Sequence, residues 1–254
     1  MILLLAGINL ASVAQNRQQV KDIEGVQEIT MHSEILDEDR VLYVYVPGET
    51  SKSKLPALYL LDGQIPMIFQ EAVDFCRTIP HIVVGVSTQK NRNRDMLPVE
   101  IDSKPGSGGS ENFLKFLTNE LQPYIKDNYP GNEKSILYGA SNSGLFTIYS
   151  MLEKPDAFFA YLTSSPMIGH CKGFMTDLLN IFQQPDKLKG KYLFMHWGTE
   201  DHEKVTVDLP PFIEMMSEKL TGLKIRAVSL EDEGHVPAGG VSDGLQFVYK
   251  QAGH

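Results

Sequence analysis

The sequence predicts an α/β fold: a mostly parallel central sheet with helices on both faces and an antiparallel edge at the N-terminal side. Three observations carry this. Short continuous apolar runs at 57–61 and 82–86 are bounded by turn or polar residues, as buried parallel strands are, and 135–138, 160–163 and 192–197 read as further strands. Segments of helical period lie between such runs, as in the 113–125 stretch with Phe113, Leu114, Phe116, Leu117, Leu121, Tyr124 and Ile125. The first two strands follow one another with no helix between them, which marks an antiparallel edge.

The elements follow in order. Residues 26–32 and 40–46 read as two strands joined through Glu38-Asp39. In the second, Val41, Tyr43 and Tyr45 alternate with Leu42, Val44 and Val46, so burial on both faces is expected; Pro47-Gly48 ends it. The strand at 57–61 runs into Asp62-Gly63, and the strand at 82–86 into Ser87-Thr88-Gln89. Residues 91–109, with Pro98, Pro105 and three glycines, read as loop. The helix after it is expected to be capped by Ser110 and bent or ended at Pro123. A strand at 135–138, a turn at 139–144 and a helix at 145–152, stopped before Pro155, come next. Strands at 160–163, 192–197 and 225–230 follow, with a helix at 212–220 closed by Gly222 and a last helix around 245–249.

Composition bounds the function. The chain has 254 residues, 42% apolar and 22% charged, enough for a large core without disulfide or metal support. Its 23 Lys and Arg against 32 Asp and Glu give a net charge of −9 and no basic run, so nucleic acid is excluded as a partner. Residues 1–14 are apolar, too short to span a bilayer, and end in Ser12-Val13-Ala14. They read as a cleaved secretory signal with the cut before Gln15, although no Lys or Arg precedes them. A linker at 15–25 and one catalytic domain at 26–254 follow, with no membrane span after processing and a periplasmic or secreted location expected. Cys76 and Cys171 form no metal-type cluster and would pair only in an oxidising compartment.

The chemistry concentrates at Tyr138-Gly139-Ala140-Ser141-Asn142-Ser143-Gly144, between an apolar strand and a helix. That is the setting of a nucleophile elbow, G-x-S-x-G, with Ser143 where the second glycine is usual. A serine hydroxyl needs a base, and on such a sheet the order is Ser, then Asp or Glu, then His, on loops after later strands. Gly198-Thr199-Glu200-Asp201 and Glu231-Asp232-Glu233-Gly234-His235 occupy those places. His235 would take the Ser141 proton, and Asp201, ahead of Glu200, would orient the imidazole. His32 and His81 fall before the elbow, and His170, His196, His202 and His254 are expected in structural or solvent roles. The oxyanion site is assigned to the backbone of Asn142 and of the Asp62-Gly63-Gln64 loop, with Gln64 the donor and Gly63 supplying the conformation. His196 and His202 beside Glu200 and Asp201 match no metal-ligand spacing, so no metal and no cofactor are expected.

The chain resembles an esterase family of α/β-hydrolases that includes enterochelin esterase, the esterase D branch, feruloyl and acetyl-xylan esterases and mycolyltransferases. The resemblance covers residues 26–250. It rests on Arg40-Val41-Leu42-Tyr43-Val44-Tyr45-Val46-Pro47, Leu58-Tyr59-Leu60-Leu61-Asp62-Gly63, Ile82-Val83-Val84-Gly85-Val86 with Arg94-Asp95-Met96-Leu97-Pro98, the helix at 113–125, the elbow, and Ser165-Pro166. It implies an α/β-hydrolase with a Ser141-Asp201-His235 triad, the acid standing three residues after Gly198. Ser143 departs from the family's elbow, and Met167-Ile168-Gly169-His170 lacks an aromatic pair common in the enterochelin-esterase-like branch.

The expected activity is hydrolysis of carboxylic esters through an acyl-enzyme, on a small-molecule or polymer-linked substrate such as a carbohydrate or siderophore ester. Acyl transfer to an alcohol on the same triad, or a non-catalytic binding role on the same fold, are the alternatives. Arg92 and Arg94 are the expected substrate-binding cations in the loop that borders the site.

Overall fold

The computed structural model describes residues 18–48 and 54–253, so the expected signal at 1–14 lies outside the described residues. The strands are β1 (Val26–Ser33), β2 (Glu38–Tyr45), β3 (Leu55–Leu61), β4 (Ile82–Val86), β5 (Gly131–Ala140), β6 (Ala160–Ser164), β7 (Tyr192–Gly198) and β8 (Lys224–Leu230). They form one eight-stranded sheet in the order β1-β2-β4-β3-β5-β6-β7-β8. β1 with β2 and β2 with β4 are antiparallel, and every other pairing is parallel. The expected parallel sheet with an antiparallel N-terminal edge is therefore observed.

The helices are α1 (Pro66–Phe75), α2 (Arg92–Met96), α3 (Ser110–Phe116), α4 (Gln122–Asn128), α5 (Asn142–Glu153), α6 (Lys172–Ile181), α7 (Glu203–Thr206), α8 (Leu209–Lys219) and α9 (Gly240–Ala252). The core has two layers, one on each face of the sheet. α1 and α9 bury Phe69, Val73, Leu245 and Val248 against Leu58, Leu60, Tyr138, Leu162 and Phe194. On the other face α3, α5, α6 and α8 bury Phe113, Phe146, Met175 and Met216 against Tyr59, Leu137, Tyr161 and Leu193. Residues alternate in allegiance along β3 and β5 because successive side chains of a strand point to opposite faces.

Several local expectations are corrected. β2 is fully buried on one face only: Arg40, Leu42 and Val44 are buried, while Val41, Tyr43 and Tyr45 are half-buried, because β2 lies next to the edge strand. The 91–109 segment read as loop contains α2, whose polar face hid the helical period. Ser110 does not cap α3. It is the first helical residue, and its hydroxyl donates to the Asp95 carbonyl at 3.0 Å. Ahead of Pro123 the helix widens into a π turn, Leu117–Leu121, and the chain continues helical as α4 with the proline in its first turn. Gly222 does not close α8, which ends at Lys219. A Cβ there would lie 3.0 Å from the Lys189 Cα, so glycine permits a close approach of two loops. Val20 and Ile23, in the stretch read as a linker, are buried in the α1/α9 layer. Cys76 and Cys171 are both free and buried, in opposite layers of the core. Among the described residues no helix is long and apolar enough to cross a membrane.

Candidate active site

β3, β5, β7 and β8 all run in the same direction, and the loops at their carboxyl ends meet. β5 ends at Ala140 and α5 begins at Asn142, leaving Ser141 alone between strand and helix at φ 60°, ψ −121°. A serine reaches this left-handed region only when its surroundings over-determine it. They do so here. Ser141 N–H donates to Ser164 O at 2.9 Å, and the Ser141 carbonyl accepts from Leu145 N–H and Met167 N–H at 3.1 and 3.2 Å. Gly139 is obligatory, since a Cβ there would stand 2.2 Å from the Ser143 carbonyl oxygen. Ser143 does not disturb the elbow; its hydroxyl is fully buried and donates to Asp62.

The acid and base loops are held against each other beyond β7 and β8. Gly198, the last residue of β7, lies so close to the second loop that a Cβ would fall 1.8 Å from the Glu233 carbonyl oxygen. Glu200 N–H donates to that carbonyl at 2.9 Å, and Thr199 N–H to Leu230 O at 2.9 Å. This grip brings Asp201 Oδ1 to 2.6 Å from His235 Nδ1, while His235 Nε2 lies 2.9 Å from Ser141 Oγ. The Asp201 side chain is wholly buried, and its Oδ1 also accepts the His202 N–H at 2.6 Å. Glu200, by contrast, is exposed. The three residues picked from spacing thus form one chain of hydrogen bonds, through which an imidazole can take a proton from a hydroxyl.

The loop after β3 partly departs from expectation. Gly63 N–H donates to Val86 O at 3.0 Å and is not free for a substrate. Its lack of a side chain serves packing, because a Cβ would lie 2.3 Å from the Gly85 Cα; the left-handed residue of this turn is Asp62, at φ 56°. Gln64 N–H makes no hydrogen bond among the described residues, and Asn142, as the first residue of α5, has no intrahelical acceptor for its own N–H.

Ser141, Asn142 and His235 line a cavity of about 590 Å³ together with Arg92, Lys104 and Lys204. Arg92 borders it but is committed to Asp62. Arg94 is not brought to the cavity. It pairs with Glu38 at 2.6 Å and Asp95 at 2.9 Å, where it braces α2 against β2. His170, expected in a structural or solvent role, stands at the wall of this cavity. The short turn Ile168–His170 folds it back so that its Nδ1 lies 2.8 Å from Asn142 Oδ1 at the cavity wall. Burial, with Lys104 and Lys204 nearby, pushes its imidazole down to about 4, so it stands neutral. No sequence motif links it to Asn142, because it follows no strand end directly and reaches its partner only through the fold of this turn. Among the described residues no group of His, Cys, Asp and Glu is arranged to hold a metal ion.

This sheet and its convergent loops define an α/β-hydrolase. Residues 33–236 match the family described as Putative esterase, and the chain belongs to that family; it is a carboxylic-ester hydrolase. The ferri-bacillibactin esterase BesA of Bacillus subtilis is 25% identical over 238 residues, 79% of this chain and 81% of that protein. The siderophore triacetylfusarinine C esterase of Aspergillus fumigatus is 25% identical over 136 residues, so the match spans about half of that protein, 47% of its length. Among solved structures, an IroE-like serine hydrolase from Shewanella oneidensis superposes with a TM-score of 0.78 at 22% identity, covering 89% of this chain and 80% of that one. The BES protein from Bacillus cereus gives 0.74 at 23% identity, over 89% and 95%.

Proposed function

We propose that Ser141 is the nucleophile, His235 the general base and acid, and Asp201 the residue that orients His235, in a two-step hydrolysis of siderophore-type esters. The Ser141–His235–Asp201 chain of contacts, at 2.9 and 2.6 Å, carries this reading. Ser141 Oγ attacks the ester carbonyl while His235 Nε2 takes its proton. The tetrahedral oxyanion accepts from the N–H groups of Asn142 and Gln64. Its collapse breaks the bond to the alcohol, which leaves with the proton from His235, and Ser141 remains acylated. Water then gives a proton to His235 and adds to the acyl carbon. The second collapse returns that proton to Ser141 and frees the acid.

The substrate class draws support from the cavity and the relatives together. Lys104 and Lys204 make no ion pair among the described residues, although the chain carries a net charge of −9. Cations held at such a mouth attract an anionic ligand. A ferric catecholate ester, whose iron complex is anionic, fits that sign, and the names of BesA and the fungal esterase state siderophore substrates for those proteins.

The test pairs a fluorophosphonate probe with hydrolysis of p-nitrophenyl butyrate and of a cyclic catecholate triester. Labelling confined to Ser141, and loss of both label and hydrolysis in Ser141→Ala, is the expected result. Equal turnover by wild type and Ser141→Ala overturns it. Ester product that grows with added alcohol would assign acyl transfer instead.

A further inference from the structure

Ser143 occupies an elbow position where glycine is usual, and the structure gives its hydroxyl a specific partner. It donates to Asp62 Oδ2, on a carboxylate whose side chain is 3% exposed. Two other side chains converge on the same carboxylate with three donors. Thr88, just beyond β4, donates its hydroxyl to Oδ1. Arg92 of α2 approaches in bidentate fashion, with Nε 2.8 Å from Oδ1 and Nη2 2.7 Å from Oδ2. The same Nη2 lies 3.2 Å from the Ala140 carbonyl and 3.2 Å from Ser143 Oγ. Thr88 also grips the loop a second time, its N–H donating to Gln64 Oε1 at 3.2 Å. Burial works against the charge on Asp62, but Arg92 first, then Ser143 and Thr88, hold its carboxyl below the usual range.

The placement of these bonds is what matters. Asp62 stands two residues before Gln64, and Ser143 stands one residue after Asn142. A single hydrogen bond therefore joins the two backbone segments whose N–H groups are assigned to the oxyanion, and Arg92 locks both sides of it. We infer that Ser143, Asp62 and Arg92 are positioning residues, a clamp that sets the separation of the Asn142 and Gln64 N–H groups and cancels the Asp62 charge beside the developing oxyanion. The inference rests on the proposed serine mechanism. Donors of this kind act on the transition state, so slack of a few tenths of an ångström lowers kcat more than it raises KM. Arg92 acts here through Asp62 rather than by holding substrate.

Ser143→Ala is the mild perturbation, since Asp62 keeps its other three donors. It lowers kcat on the order of 10-fold with KM within about twofold, and it weakens an alkyl trifluoromethyl ketone, which forms a tetrahedral adduct, by the same factor. A ground-state product acid binds unchanged. Arg92→Ala is the more severe change, because it strands a carboxylate next to the oxyanion. Arg92→Ala combined with Asp62→Asn recovers part of the lost kcat, which a merely structural role for Arg92 would not produce. Wild-type kcat and ketone affinity in Ser143→Ala would overturn the inference, as would a double variant no faster than Arg92→Ala. The serine mechanism is judged separately, by fluorophosphonate labelling of the wild type. An unlabelled Ser141 sinks that reading, whereas a labelled wild type with unaffected variants sinks only the clamp.

Discussion

Asp201→Asn separates two ways in which a triad acid can act. The substitution keeps shape and removes charge. Two donors already converge on Asp201 Oδ1, the His235 ring nitrogen and the His202 backbone N–H, both at 2.6 Å. A backbone N–H can only donate, so an amide NH₂ turned to that side would face it donor to donor. Oδ2, in contrast, is buried and accepts nothing among the described residues. The asparagine is therefore expected to keep its carbonyl toward His235 and its NH₂ in the Oδ2 place, and the imidazole keeps Nδ1–H and its basic Nε2. What disappears is the attraction between a carboxylate and the imidazolium of the transition state. For charge centres about 4 Å apart at an effective dielectric near 20, that is about 4 kcal/mol, and water at the partly open His235 reduces it. A fall in kcat/KM of roughly 10²- to 10³-fold is expected. A turned amide would instead fix the wrong tautomer and cost about 10⁴-fold. Steady-state hydrolysis of p-nitrophenyl butyrate, with circular dichroism to confirm folding, measures the difference. A loss beyond about 10⁴ refutes the amide orientation argued here, and a loss below about 10-fold refutes Asp201 as the acid.

Two further outcomes follow from buried groups away from the site. His81 is fully buried, its Nδ1 2.8 Å from the Ile79 carbonyl, and burial pushes its imidazole down to about 4. The unfolded chain takes up that proton near 6.5. The stability His81 contributes is thus complete above about pH 6.5 and is lost as pH falls toward 4, by up to about 3 kcal/mol. Melting temperatures between pH 7.5 and 4.5 should fall less steeply in His81→Gln than in wild type, and parallel slopes would contradict this. Burial likewise pushes the Cys76 thiol up to about 12 and the Cys171 thiol up to about 11. A disulfide reagent at pH 8 should titrate no thiol in the native protein and both in 6 M guanidinium, on the general ground that thiolate is the reactive form; rapid native reaction of either would show that its layer of the core opens.

Strands were legible where both faces are buried, because β4 then reads as an unbroken apolar run and β7 as one interrupted only by His196. Helices were legible where apolar residues recur at helical period, as in α3, whereas α5, buried all round from Asn142 to Leu152, was placed by the turn before it and Pro155 after it. α2 was not, since Arg92, Asn93, Arg94 and Asp95 are polar throughout and are fixed by ion pairs to β2 and by Asp62 rather than by an apolar stripe. β8 was found from its sequence, although it is an edge strand with no buried residue. The capping expectation at Ser110 failed for a tertiary reason: its hydroxyl is drawn to Asp95, fifteen residues earlier, not to its own helix.

The site was legible to the extent that its residues follow strands. Ser141, Asp201 and His235 each stand just past a carboxyl end, so order along the chain maps onto order across the sheet, β5, β7 and β8. His170, Asp62 and Ser143 obey no such rule, because their roles depend on which loops fold back over which ends. Gly198 shows how the two kinds of information join. In the sequence it is a glycine three before an acid. In the structure it ends β7 hard against the Glu233 carbonyl that Glu200 N–H bonds, and a side chain there would force apart the loops that carry Asp201 and His235. A residue outside the hydrogen-bonded chain thus determines whether two of its members can meet, and by the same logic the place of Ser141 depends on Gly139, where a Cβ would strike the Ser143 carbonyl.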